Sequence, residues 1–211
     1  GVLILALLPL LSLPAVGKTD VSNEIEAYLA SNRPFEGLSS AVPSIDKPDW
    51  YFDVTIYYTV SQNGSTSDLN TFATLANETL NDARGWSRLG ARFEKVASGG
   101  TLHLVLAQAS LLPTYSSACT ADWSCSVGNT VIINDDRWTG ASTAWNNAGG
   151  SLRDYRHMVI NHETGHWLGH GHEFCSANGA SAPVMQQQSI DLQGCTFNPW
   201  PLDSELTTTR F

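Results

Sequence analysis

From Trp50 to Val60 the chain reads WYFDVTIYYTV, rich in β-branched and aromatic residues. Alternation places Val54, Ile56, Tyr58 and Val60 on one face, which predicts a strand. After the turn Gln62-Asn63-Gly64 the period changes. Within residues 67–82, Leu69, Phe72, Ala73, Ala76 and Leu80 recur at helical spacing. A second strand is predicted near Ala91–Val96, and a third over Thr101–Ala107, entered through Gly99-Gly100. A long connection holding Pro113, Cys119 and Cys125 then leads to NTVIIN, a short strand over Asn129–Asn134. Asp135–Gly150 reads as turn-rich and carries Trp138 and Trp145. Ser151, with Asp154 three residues on, reads as a helix cap, and a helix follows it. This order predicts an α+β fold, a twisted mixed sheet with helices packed on it.

The flanking segments are of a different character. Residues 2–13, VLILALLPLLSL, are apolar and uncharged, and Ala15-Val16-Gly17 follows with small residues at its first and third positions. Residues 1–17 therefore read as a secretory signal, with cleavage after Gly17, or else as a membrane anchor. Residues 18–48 are polar, and Asn23 with Glu26 forms a capping-box pattern for a short helix containing Ile25 and Leu29. They are expected to be a linker, a pro-segment or an N-terminal extension, with the main domain over 49–211.

Composition narrows the classes. Of the 211 residues 42% are apolar and 15% charged, a globular balance. The formal charge of −9 and only three lysines argue against nucleic acid as a partner. The four cysteines gain meaning from the first segment, because export implies an oxidising compartment and hence disulfides. Cys119–Cys125 and Cys175–Cys195 are the pairings that suggest themselves among the three possible connectivities. A four-cysteine zinc site is the alternative, but the short paired spacings are missing. The triplets Asn63-Gly64-Ser65 and Asn77-Glu78-Thr79 match glycosylation acceptors.

Candidate chemistry is concentrated at residues 162–172, HETGHWLGHGH, which hold four of the six histidines. On a helix, His162 and His166 project from one face a turn apart, the spacing that two ligands of one zinc ion require. Glu163 stands where such sites place the carboxylate that activates water. Gly169 lets the chain leave the helix in a left-handed conformation and return His172 as a third ligand. Three protein ligands leave a position for water, as in catalytic zinc sites.

These residues resemble the signature of the metzincin metallopeptidases, H-E-x-x-H-x-x-G-x-x-H with a methionine-containing turn downstream. Within that group the segments SCSVGNTVIINDDRW and APVMQQQSIDLQGC resemble a bacterial exported metzincin-like family of unknown function. The resemblance implies that Met185, in APVMQQQS, forms an apolar floor beneath the metal, and that a small C-terminal subdomain follows the third histidine. It also implies an extended substrate on an edge strand, with Thr130–Asn134 or its neighbourhood as the candidate. Gln187 stands where several metzincins have a tyrosine, so oxyanion stabilisation by that tyrosine is not implied here. Other residues have plainer readings. Trp167 and Leu168 are expected in the core and His103 and His157 in structural or exposed positions. His170 is expected beside the metal or in solvent. Asp135 and Asp136 suit calcium or simple solvation, and Asp191 suits a turn or a hydrogen bond to a ligand histidine.

The expected function is that of a secreted, monomeric zinc endopeptidase with one catalytic zinc ion. Glu163 would serve as general base toward a zinc-bound water. The alternatives are a zinc-containing envelope binding module without turnover and a zinc amidase acting on cell-wall amides.

Overall fold

The computed structural model describes residues 52–211. The expectations for residues 1–17 and 18–48, including the helix at Ile25 and Leu29, lie outside the described residues. Five strands form one sheet: β1 (Val54–Asn63), β2 (Ala91–Lys95), β3 (Leu102–Ala107), β4 (Cys125–Val127) and β5 (Thr130–Asn134). Their order is β2-β1-β3-β5-β4, parallel throughout except for β4, which runs antiparallel to β5. The helices are α1 (Leu69–Leu80), α2 (Asp135–Gly140), α3 (Thr143–Asn147) and α4 (Leu152–Leu168). The fold is thus α+β with a mostly parallel sheet. Among the described residues no helix is long and apolar enough to cross a membrane.

Strands β3 and β5 are largely apolar on both faces because both faces are covered. Leu102, Leu104 and Leu106 of β3 join Val131 and Ile133 of β5 in the larger core, which includes residues of α1 and α4. The intervening Val105, Ala107 and Ile132 point the other way, into a second core with Leu112 and Cys119 from the long connection. That connection is therefore the cover of the sheet's second face, and the Cys119–Cys125 disulfide ties it to β4. Helix α1 forms where its apolar spacing places it. Asp68 caps it by accepting from the Thr71 amide at 2.7 Å, and Phe72, Ala76 and Leu80 are buried.

Two expectations need correction and a third is narrowed. Asp135–Gly150 contains two short helices, each started by a side-chain cap, Asn134 for α2 and Ser142 for α3. The first strand extends to Asn63, through residues assigned to a turn, because Gln62 and Asn63 pair with Leu106 and Ala107. Of the expected edge, Thr130–Asn134 or its neighbourhood, the neighbour is the one that fits: β5 lies between β3 and β4, and the free edge on that side is β4. Beyond Gly169 the chain has little regular structure, yet Val184 and Met185 join the core formed by the sheet and helices.

Candidate metal centre

Helix α4 begins at Ser151, whose hydroxyl accepts from the Asp154 amide at 3.0 Å and donates to the Asp154 carboxylate at 2.7 Å. It ends at Gly169, with φ of 106°, a conformation that favours glycine. The Gly169 amide donates to the His166 carbonyl and the His170 amide to the Gly165 carbonyl, so two of the last carbonyls are satisfied as the chain reverses. The reversal returns His172 toward the helix. One ring nitrogen from each of His162, His166 and His172 lies within 4.8 Å of the others.

The tautomers follow from the partners. His162 Nδ1 lies 2.8 Å from the Val184 carbonyl oxygen and His166 Nδ1 lies 2.9 Å from that of His170. A carbonyl can only accept, so both Nδ1 atoms carry the proton and both Nε2 atoms present lone pairs. His166 Nε2 stands 3.2 Å from His172 Nε2. Two ligands of a tetrahedral zinc with bonds of 2.0–2.1 Å would stand about 3.4 Å apart, so this spacing suits a shared cation. Burial holds His162 at about 3, helped by charge on His166, and it also lowers His166 and His172. The three imidazoles are therefore neutral at neutral pH and can hold a metal ion.

Glu163 is 5% exposed, and its Oε2 has no hydrogen-bond partner among the described residues. Burial pushes its carboxyl up to about 8. Together with the three histidines it lines a cleft of about 670 Å³. One wall is the connection and β4, including Trp123 and Cys125; the other is the segment Gln187–Ile190. Met158 and Val159 come from α4. An unpartnered buried carboxyl beside converging imidazoles can exchange a proton with a bound molecule near neutral pH.

Beneath the helix, Met185 is fully buried. A methyl group added at Gly165 would collide with Met185 Sδ and with Trp86 Cζ2. The glycine is thus the opening through which the sulfur approaches the turn between His162 and His166. Trp167 and Leu168 are core residues, as expected. His157 and His103 hydrogen-bond to Thr79 and Thr59, structural placements both. His170 adjoins the centre: its carbonyl orients His166, its Nε2 lies 2.7 Å from the Thr207 carbonyl oxygen, and its ring stacks on Trp86. Asp191 orients none of the three histidines. Its carboxylate accepts from the Gln193 amide in a turn, while backbone carbonyls do the orienting. Asp135 accepts from the Ser67 hydroxyl, a contact that needs no calcium.

Both expected disulfides, Cys119–Cys125 and Cys175–Cys195, are formed, and the four-cysteine zinc alternative falls with them. Sequence reasoning passed over Gly165, Gln188, Asn198 and Glu205. A glycine inside a helix costs about 1 kcal/mol relative to alanine, and that cost was the available signal for Gly165. The other three hold backbone groups between two and 21 residues away, at spacings that follow no helix or strand period.

A family described as protein of unknown function (DUF3152) matches residues 23–205, which include the histidines, Glu163 and Met185. No curated protein matches the chain. The chain therefore belongs to the DUF3152 family of proteins of unknown function.

Proposed function

We propose that this protein is an exported zinc-dependent endopeptidase of metzincin type. The observation that carries the reading is the convergence of His162, His166 and His172 beside the buried, unpartnered Glu163 in one cleft. A zinc ion held by these imidazoles supplies Lewis acidity toward a carbonyl and makes water more acidic. Strand β4 offers its free edge to an extended peptide, which pairs by main-chain hydrogen bonds and lies across the cleft. Glu163 takes the proton from water as the carbonyl carbon is attacked, then delivers it to the leaving nitrogen. With no other hydrogen-bond partner among the described residues, its Oε2 is free to receive and pass on that proton. His162 and His166 stay in one tautomer because backbone carbonyls hold their Nδ1 protons. Export is supported by the two disulfides and by the apolar opening segment. An open cleft flanked by an edge strand favours an extended peptide over a compact amide.

The test is digestion of a diverse peptide library by the zinc-loaded protein, with and without a chelator, alongside Glu163→Ala. The variant is expected to retain zinc and to lose 10²–10⁴-fold in hydrolysis, roughly the contribution of a general base. Cleavage that ignores the chelator, or full activity in Glu163→Ala, would overturn the reading.

A further inference from the structure

We infer that Glu205 is a positioning residue of the metal centre, acting through the turn that carries Val184 and Met185. The inference rests on the metal reading above. Glu205 is 4% exposed, and its carboxylate accepts three backbone amides. Met185 N–H reaches Oε1 at 2.8 Å, while Val184 N–H and Leu202 N–H reach Oε2 at 3.0 and 2.7 Å. No helix or strand is present there to take those amides, and left unpaired they would each cost as much as a lost hydrogen bond.

The consequence for the metal follows from peptide geometry. The N–H of Met185 and the C=O of Val184 belong to the same planar unit and point in opposite directions. Glu205 grips one edge of that plane, and the Val184 carbonyl on the other edge accepts from His162 Nδ1 at 2.8 Å. The next carbonyl along, that of Met185, accepts from the Glu173 amide at 3.1 Å, one residue beyond His172. Two successive peptide units therefore connect a single carboxylate to the first histidine and to the segment that carries the third. If the turn rotates, the His162 ring loses its partner, the His172 segment loses its tether, and the burial of Met185 against Gly165 is disturbed. A buried carboxylate is costly unless its oxygens are satisfied, so its place here is explained by what it holds.

The experiment measures Co²⁺ binding to the full chain by chelator competition and by the visible absorption of the bound ion. Wild type is compared with Glu205→Gln, which keeps the shape and one acceptor oxygen. Glu205→Asp, which keeps both oxygens but retracts them by a methylene, is measured beside it in case the amide fails to fold. Asp82→Asn is the control for general destabilisation, since Asp82 is a buried partner of Arg84 that makes no contact with the turn or the ligands. The Glu205 variants are expected to lose about tenfold or more in cobalt affinity, with a changed absorption band. Asp82→Asn is expected to lower Tm and leave both unchanged. Wild-type cobalt affinity and spectrum in a folded Glu205 variant would overturn the inference and leave the metal reading intact. Failure of wild type to take up cobalt would overturn both.

Discussion

Residues 54–168 and residues 169–206 meet at one site but are ordered by different means. In the first region, sheet and helices satisfy the backbone, and apolar side chains such as Phe72, Trp86 and Leu104 fill the space between them. In the second, the named element is a 3-10 turn at Asp203–Glu205, beside isolated bridges such as Ser181 with Thr196. Side chains do there what a ladder does elsewhere. Gln188 Nε2 donates to the Pro183 and Asn198 carbonyls, and Asn198 Nδ2 donates to those of Ala182 and Trp200. Glu205 accepts three amides. Backbone groups demand partners in both regions, and only the kind of partner changes. The comparison predicts that apolar losses in the first region are global, whereas polar losses in the second open the chain locally.

Trp86→Ala is expected to have the largest effect. Trp86 is fully buried, packs beneath Gly165 and donates from Nε1 to the Asn161 carbonyl at 2.9 Å. Its truncation should cost about 3–5 kcal/mol of global stability in urea unfolding. A loss confined to residues near the cavity would break the comparison.

A somewhat smaller effect is expected from pH through His157 on α4. The Thr79 hydroxyl donates to the Leu75 carbonyl, so it accepts from His157 Nδ1–H at 2.7 Å, and Trp200 covers the ring. Burial, aided by the charges of Arg153 and Arg84, lowers this imidazole to about 3 from an ordinary 6.5. Between those values the unfolded chain binds the proton and the folded chain does not. Stability is therefore lost as pH falls from about 6.5 toward about 3, on the order of 2–4 kcal/mol from this group. His157→Gln should flatten that slope, as judged from urea midpoints at pH 7 and pH 4. An unchanged slope would remove His157 from the account.

The smallest effect tests the second region directly. Asn198→Ala removes the donor to two carbonyls and should cost about 1–2 kcal/mol. Amide exchange should accelerate around residues 180–202 while exchange in β1 and β3 stays at the wild-type rate. Uniform acceleration across the sheet would show that the two regions open together.

The same contrast governs how much could be read before folding was known. Val54, Ile56 and Tyr58 alternate, and Leu69, Phe72 and Leu80 follow a helical period, so β1 and α1 were legible from local order. The capped start of α4 at Ser151 and its left-handed end at Gly169 were legible for the same reason. So was the set His162, His166 and His172, because two of the histidines share a helix face and the third follows a glycine turn. Strand β4 has no signature because three residues carry too little period to register, so the edge is legible only as Thr130–Asn134 or its neighbourhood. Glu205 has no such signature, since an acidic residue twenty positions beyond Met185 has no pattern linking it to the turn.

Periodicity, caps and spacing specify which side chains lie on one face of a helix or strand, because those relations are set by backbone geometry within a few residues. They specified the core elements and the helix that carries His162 and His166. Which strand forms the edge, which carbonyl orients His162 and which carboxylate holds that carbonyl depend on groups brought together from distant parts of the chain. Those choices were made when buried amides and carbonyls had to find partners in three dimensions, a requirement that leaves no period in the sequence.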